Sequence, residues 1–300
     1  MKRRLGIAAL VLVVLCVPAY WWLFVSAEEA EGRWPLELNE LRKAARSIEG
    51  ELPADVRFEK VTTFAFPSTA MVAGSGWSER LMTCFSYQLV YADGRTAVVD
   101  AAMDEKTARS ELPVKEYDAA AWARVQSALK AAELVVATHE HYDHLGGATL
   151  DADVWDKTVV NPAQLEHPEN LQPLTYPAKK PKQVVDYQGL HAVAPGVVLV
   201  RTPGHTPGSQ LVYVLRKDGR ELLFLGDVAW MMENVERVRE RARIVTMMMS
   251  ENRANVLQQL AAVKALLQQE PRLGVVAGHD GAQVDALAAQ GLLAQGFVGP

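Results

Sequence analysis

The feature that most limits how this chain can fold is a group of metal-binding residue types directly behind a short apolar run. Leu134–Ala137 contains no polar side chain, which is typical of a strand covered on both faces. His139, His141, Asp143 and His144 follow at once. In an extended chain, side chains two positions apart point to the same face, so His139 and His141 can bind one ion. The turn that follows can bring Asp143 and His144 to a second ion beside the first.

Three more residues of these types follow apolar strands. His205 comes after the apolar run at 197–200, and His279 comes after the run at 275–277. Asp227 follows another such strand in the segment Phe224-Leu225-Gly226-Asp227. Since active sites of α/β proteins collect at the ends of strands, we expect all three near the first group. Imidazole and carboxylate together suit several metals, so the ligand types alone do not select one.

In their order along the chain, these residues resemble the metallo-β-lactamase fold of hydrolases. That family has Thr-His-x-His-x-Asp-His, then Pro-Gly-His-Thr-x-Gly, then Gly-Asp and a late Gly-His, and the resemblance covers roughly Phe58 to the C-terminus. It implies an α/β fold, a four-layer αββα sandwich. It also implies two divalent metal ions, with zinc expected and iron or manganese as alternatives. One ion would be bound by His139, His141 and His205, the other by Asp143, His144 and His279, and Asp227 would bridge both.

The resemblance also implies a reaction. Two ions about 3.5–4 Å apart can activate a shared water and polarise a substrate oxygen. We therefore expect hydrolysis by a hydroxide that bridges the metals, with Asp143 and Asp227 as the catalytic carboxylates. β-Lactam-cleaving relatives usually have Cys or Ser where Asp227 stands, and relatives that bind glutathione have basic residues near the C-terminus, whereas this chain has none after Arg272. The expected substrate is a small ester, lactone or thioester.

Other activities remain open. A mononuclear iron persulfide dioxygenase uses the same fold with fewer metal ligands, and β-lactamase-like amide hydrolysis is a second alternative. A binding protein that has lost turnover is a third. One iron with oxygen consumption would indicate the dioxygenase, whereas two zinc ions would indicate a hydrolase.

Candidate substrate-pocket residues flank the predicted ligands. Lactone-hydrolysing members of the family have a tyrosine three residues after the bridging aspartate. This chain has Trp230 there, and an indole N–H cannot act as a phenol does. Tyr142, between two predicted ligands, is another source of a hydroxyl group. Trp230 and Met231, together with the methionines at 247–249, can form the wall of an apolar pocket.

An uncharged, largely apolar stretch at residues 5–25 follows Lys2, Arg3 and Arg4. As a helix it would be about 31 Å long, enough to cross the apolar core of a bilayer. We predict a hydrophobic helix ahead of the sandwich, either a cleaved signal peptide or a single transmembrane anchor. Both interpretations place the rest of the chain in the periplasm or elsewhere outside the cytoplasm, and the second anchors it to the cytoplasmic membrane.

Charge and cysteine content narrow the expected partners. The chain has 31 basic and 36 acidic side chains, a net charge of −5, and therefore lacks the basic surface that nucleic acids require. We expect a small-molecule substrate, no nucleic acid, and membrane contact only through an uncleaved N-terminal segment. The two cysteines, Cys16 and Cys84, provide neither a disulfide framework nor a cysteine-rich zinc site.

The remaining organisation follows from residue patterns. His167 and His191 match no motif, and we expect surface or packing roles for them. The predicted divisions are a signal peptide or anchor at 1–27, a lead-in helix and linker at 28–55, and a metallo-β-lactamase-like domain at 56–300. Strands are expected at 56–66, 83–91, 96–100, 134–137, 197–200, 211–215, 221–225 and 273–277, and helices at 119–132, 253–268 and 282–294.

Overall fold

The computed structural model describes residue 14 and residues 16–299. Of the hydrophobic helix predicted at 5–25, residues 5–13 and residue 15 therefore lie outside the described residues. Residues 14 and 16–20 are helical, and a π-helical turn at Trp21–Val25 ends this segment. Among the described residues, no helix combines the length and the apolar character needed to cross a membrane.

The strands of the described chain form two sheets. They are β1 (Asp55–Pro67), β2 (Glu79–Val90), β3 (Thr96–Val99), β4 (Val114–Tyr117), β5 (Leu134–Val136), β6 (Thr158–Val160), β7 (Gln183–Val184), β8 (Leu190–Ala194), β9 (Val197–Arg201), β10 (Gln210–Leu215), β11 (Glu221–Phe224), β12 (Gly274–Val276) and β13 (Ala294–Gln295). The larger sheet has the order β13-β1-β2-β3-β5-β6-β7, with β4 beside β1. The smaller has the order β12-β11-β10-β9-β8.

Helices cover the outer faces of both sheets. The described α-helices are α1 (Leu38–Ala45), α2 (Ser68–Met71), α3 (Glu105–Glu111), α4 (Ala119–Ala131), α5 (Gly146–Thr149), α6 (Ala152–Asp156), α7 (Pro162–Glu166), α8 (Met232–Arg237), α9 (Arg243–Met248), α10 (Arg253–Gln269) and α11 (Gly281–Ala289). Helix α4 packs on the larger sheet, and α1 and α10 pack on the smaller. The predicted four-layer αββα sandwich is confirmed.

The main core lies between the two sheets. Phe58, Phe85 and Tyr87 from the larger sheet meet Val212 and Phe224 from the smaller one. All six residues of β10 are buried, because this strand faces the sheet core on one side and helices on the other. Strands of this kind show no alternation of polar and apolar residues, as the sequence of β10 illustrates.

The last predicted helix, at 282–294, is too long. Helix α11 ends at Ala289, and Gly291 follows with a φ of +73°, a conformation that glycine adopts at low cost. The chain then turns, and β13 pairs in parallel with β1 through Phe58 and Gln295. An apolar pattern alone does not reveal this change from helix to edge strand.

One rim of the sandwich collects the segments that follow β5, β9, β11 and β12. Gly226, two residues after the end of β11, lets two of these segments approach closely. Its φ is +49°, and a Cβ atom there would lie 2.5 Å from the Cβ atom of Thr138. A side chain at position 226 would therefore push the residues after β5 and β11 apart.

We predict that Gly226→Ala destabilises the fold more than Gly219→Ala. Gly219 also has a positive φ, +82°, but a Cβ atom added there would have no atom within 4 Å, so only the backbone penalty of about 1–2 kcal/mol applies. At Gly226, overpacking adds about 1–3 kcal/mol. Urea unfolding of both variants measures the difference in unfolding free energy, and equal losses would contradict this account.

Candidate metal centre

The seven ligand residues predicted from the sequence lie together at the rim where the strands end. They come from segments far apart in the chain and are nearly all buried. Their nitrogen and oxygen atoms form two groups that share one carboxylate. The seven are His139, His141, Asp143, His144, His205, Asp227 and His279.

The first group contains three imidazoles. His141 Nδ1 lies 2.9 Å from His139 Nε2 and 3.1 Å from His205 Nε2. Asp227 Oδ2 lies 3.3 Å from His205 Nε2 and 3.7 Å from His139 Nε2. Ligand atoms placed about 2.0–2.1 Å from a tetrahedral zinc ion are about 3.3 Å apart, so the spacing suits one ion.

The second group lies on the other side of the same carboxylate. Asp227 Oδ1 is 3.3 Å from His144 Nε2 and 3.1 Å from His279 Nε2. Asp143 Oδ2 is 3.5 Å from His144 Nε2 and 3.6 Å from His279 Nε2. The two oxygens of Asp227 thus face two different sets of ligand atoms.

Two atoms of the second group test whether a cation fits. His144 Nε2 and Asp227 Oδ1 are both buried and have no hydrogen-bond partner among the described residues. Leaving a buried polar atom unpaired costs about 1–3 kcal/mol. A divalent cation between these atoms would satisfy both, and the donor set therefore fits a metal.

Burial and neighbouring charges divide the imidazoles into two kinds. Burial lowers the pKa of His139 well below its usual range and that of His141 to about 3, so both are neutral. Burial also opposes charge on His144 and His279, but nearby carboxylates outweigh it and raise the pKa of both. Burial raises the pKa of Asp227, yet His279 and the other imidazoles hold it well below its usual range. A metal at the second group would displace protons, so its affinity rises with pH.

Asp100 positions His144. Its Oδ2 accepts a hydrogen bond from His144 Nδ1 at 2.8 Å, which directs Nε2 of the ring toward Asp227. Its Oδ1 accepts from the backbone N–H of Thr138 at 2.7 Å. Such contacts fix the ring orientation of metal-binding histidines and raise their basicity.

His205 is held by a buried ion pair. Glu251 Oε1 lies 2.5 Å from His205 Nδ1, and the Arg241 guanidinium donates to the same oxygen. Both charged side chains are almost fully buried. Glu140 holds the loop that carries His205, because it accepts from Thr206 Oγ1 at 2.8 Å and from the Gly208 N–H at 3.2 Å.

Trp230 contacts the shared carboxylate. Its Nε1–H donates to Asp227 Oδ2 at 2.7 Å, and the Arg241 Cζ lies 4.6 Å from its ring centre. The indole N–H is therefore committed to Asp227. His279 is fixed from another side, since its Nδ1 lies 3.0 Å from the carbonyl oxygen of Thr83.

A largely apolar cavity of about 280 Å³ lies beside the ligand groups. Of the predicted pocket residues, Tyr142 and Trp230 line it, whereas Met231 does not and is packed in the core behind it. The wall also includes Met248 and Met249, two of the three methionines noted in the sequence. The other lining residues are Phe64, Phe66, Ala70, Met82, Glu111, Leu112, His141, Asp143, Asp227, Val245 and His279.

Other titratable residues stand in different relations to the centre. His167 pairs with Glu169 at 3.0 Å on the surface, and His191 packs against Tyr187, so neither joins the ligand groups. Cys84, in contrast, places its Sγ 3.6 Å from Asp143 Oδ2. Burial raises the pKa of this thiol well above its usual range, which keeps it protonated.

The sequence interpretation missed three supporting carboxylates. Asp100 lies at the end of a predicted strand, and its position directly after an apolar run is the same signal that identifies Asp227. Glu140, between two ligand residues, matches no ligand position of the family motif, so the motif predicts no role for it. Glu251 has no signal in the sequence, because its contact with His205 joins residues 46 positions apart.

Comparison with known proteins places this geometry in a family context. The sequence model of the family described as the metallo-beta-lactamase superfamily matches residues 82–279. An N-acyl homoserine lactonase of Bacillus thuringiensis is 29% identical over 104 residues, which are 34% of this chain and 40% of that protein. One from a Bacillus species is 30% identical over an equal length and share. The match spans about 40% of the length of these curated relatives.

Solved structures with the same fold include two enzymes of this kind. A quorum-quenching N-acyl homoserine lactone lactonase superposes with a TM-score of 0.61 at 20% identity, covering 79% of this chain and 97% of the other. An N-acyl homoserine lactone hydrolase with the product N-hexanoyl-L-homoserine at its catalytic metal center gives 0.60 at 20% identity, covering 78% and 96%. At this identity the likeness shows the fold.

We predict that Glu251→Gln weakens metal binding about 10–100-fold, because the contact that orients His205 and increases its basicity is lost. Glu240→Gln is the matched control. Glu240 is also a buried carboxylate paired with an arginine, Arg253, but it does not contact a ligand residue. Competition with a chromogenic chelator measures the affinity of each variant. An equal loss in both would show that any buried ion pair supports the site.

Proposed function

The chain belongs to the metallo-beta-lactamase superfamily, and from this premise we propose that it is a metallo-hydrolase that uses two zinc ions to cleave a small ester, lactone or thioester. One observation carries the proposal. The oxygens of the buried Asp227 face two separate sets of ligand atoms, and both sets border an apolar cavity. A site for a single ion would leave one of these sets without a partner.

The donor atoms support zinc. Imidazole nitrogen and carboxylate oxygen are common zinc ligands, and each group offers about the number that zinc uses. Iron and manganese accept the same donors, so metal content measured on the purified protein decides among them.

The residues around the site support hydrolysis. Two divalent ions held by these residues would polarise a substrate oxygen and lower the pKa of a water molecule. Asp227 stays ionised, since Trp230 and the imidazoles stabilise its charge. Asp143 lies at the cavity wall, where its carboxylate can accept a proton from the attacking water and return it to the leaving oxygen.

Tyr142 supports binding of the substrate carbonyl. It lines the cavity between two ligand residues, and burial raises the pKa of its hydroxyl well above the usual range. The hydroxyl therefore remains protonated and can donate a hydrogen bond. The Trp230 N–H is already bonded to Asp227, so Trp230 contributes its ring face to the cavity.

The cavity supports a substrate with an apolar acyl group. Phe64, Phe66, Met82 and Trp230 provide apolar walls next to the ligand atoms, and the volume of about 280 Å³ suits a small molecule. The relatives named above act on acyl lactones, which favours a lactone within this class. The sequence match to these relatives covers only part of each chain. The acyl homoserine lactones are therefore substrates to be tested.

The N-terminal sequence supports a location outside the cytoplasm. Residues 5–25 carry no charge and follow three basic residues, which is the order found in signal peptides and in anchors oriented with their N-terminus in the cytoplasm. We favour an uncleaved anchor in the cytoplasmic membrane. The mass of the mature protein distinguishes it from a cleaved signal peptide.

We predict that the wild-type protein binds two zinc equivalents and that Asp227→Asn abolishes turnover. Since even residues that only support a ligand contribute about 10–100-fold, loss of the shared charge should lower kcat/KM by more than about 100-fold. His167→Ala, a histidine outside the groups, should keep full activity. The measurements are metal analysis and rates on a panel of esters, lactones and thioesters. One iron per chain with oxygen uptake on a persulfide would instead identify a dioxygenase.

We also predict that Ala70→Leu shortens the preferred acyl chain. Ala70 lines the cavity, and a larger side chain there removes space from the acyl group. One or two methylene groups are worth about 10-fold in kcat/KM in an apolar pocket, so long-chain substrates should lose about that factor. Short-chain substrates, which do not reach this wall, should be cleaved at the wild-type rate. An equal loss of kcat/KM for all chain lengths would show that the acyl group does not bind in this cavity.

A further inference from the structure

The N-terminal segment joins the folded body without a flexible linker. The carbonyl oxygen of Phe24 accepts from the Gly74 N–H at 2.9 Å and from Thr69 Oγ1 at 2.7 Å. The next carbonyl, of Val25, accepts from Arg239. The helix at 16–20 ends only a few residues before Phe24. The protein surface around Phe24 is therefore held close to the medium in which that helix lies.

Large aromatic side chains are exposed at this junction. Tyr20, Trp21, Trp22 and Trp77 are each between 44% and 58% exposed. Trp77 stacks on Tyr20, and its Nε1–H donates to the Tyr20 hydroxyl at 2.8 Å. Tyrosine and tryptophan with polar tips and apolar bodies are enriched where a bilayer meets water.

The mouth of the cavity lies on the same surface. The Arg243 Cζ is 4.6 Å from the ring centre of Trp22, and Arg243 begins helix α9. Met248, about 7.5 Å farther along α9, lines the cavity and is 79% exposed. Met247 beside it is 59% exposed. On the other side of the cavity, Thr69 donates its hydrogen bond to the Phe24 carbonyl oxygen, and the adjacent Ala70 lines the cavity.

The sequence before this junction indicates which medium contacts the surface around the cavity mouth. Residues 5–13 are uncharged and apolar, and they lead into a helical segment whose Val14 and Val17 are about 60% exposed. This apolar segment is joined to the body without a flexible linker. The medium that covers the segment must therefore also contact the neighbouring methionines and tryptophans. We infer that the cavity mouth rests on a phospholipid bilayer, and that the substrate is a membrane-dissolved acyl ester or lactone that enters from the lipid.

This geometry has a physical consequence for substrate capture. An acyl chain that moves from the bilayer past Met248 to Phe64 and Phe66 passes mainly apolar side chains of the cavity wall. Much of the free-energy cost of exposing its methylene groups to water is therefore avoided. The substrate chemistry rests on the proposed function. The position of the mouth does not.

Fluorescent labels on the full-length protein test the position of the mouth. The labelled variants are Met247→Cys and, as the control, Lys217→Cys, each in a Cys16→Ser background whose one other cysteine is the buried Cys84. Lys217 is exposed in the turn between β10 and β11, at the strand end opposite Asp227. Each labelled protein is reconstituted with phosphatidylcholine vesicles, and quenching by phosphatidylcholine with a nitroxide on its acyl chain is measured.

We expect severalfold stronger quenching at position 247 than at position 217. Equal, weak quenching at both, or failure of the protein to float with the vesicles, would overturn the inference. Quenching does not depend on turnover, so an inactive protein with a quenched label at 247 would refute the proposed reaction alone. In the active protein, kcat/KM for a long-chain lactone should rise severalfold when vesicles are present, and a short water-soluble lactone should show no change.

Discussion

The structure depends on one buried carboxylate whose two oxygens serve different neighbours. Asp227 is almost fully buried, where an uncompensated charge would be prohibitive. It stays ionised because imidazoles surround it and the Trp230 N–H donates to it. Asp227 lies at the rim because it follows strand β11. Gly226, directly before Asp227, allows the segment after β5 to lie close to it. Much of the local fold can be understood as the means of holding this charge.

The candidate ligand residues can be predicted from the ends of apolar strands, because histidine and aspartate are rare in apolar surroundings. His139, His205 and His279 each follow a run of buried residues, and a polar residue at such a point must lie at the rim. The order of the sandwich layers came from the family resemblance, since β10 and its neighbours lack alternation and could be buried helix or strand by pattern alone. The sandwich and the cluster of candidate ligand residues are therefore predictable from the sequence. The supporting carboxylates that orient those residues are less predictable.

The missed features share a physical cause, which is that they depend on packing between distant segments. Phe64 and Phe66 lie on one face of β1, but the sequence does not say that this face turns toward the ligands. Glu251 is explained only by the position of His205 and Arg241 in space. The strand β13 likewise exists because β1 offers it a free edge. Local pattern describes what a segment can form, and tertiary contact selects among the options.

The spread of the ligand groups along the chain has a consequence for how the protein matures. His279 lies near the end of the sequence, whereas His139 lies near its middle. The first group needs His205 and Asp227 from the second half of the chain beside His139 and His141, and the second group needs His279 as well. A cation bound at either group would therefore link segments that are made far apart in time, and its binding energy would stabilise the contact between the two halves.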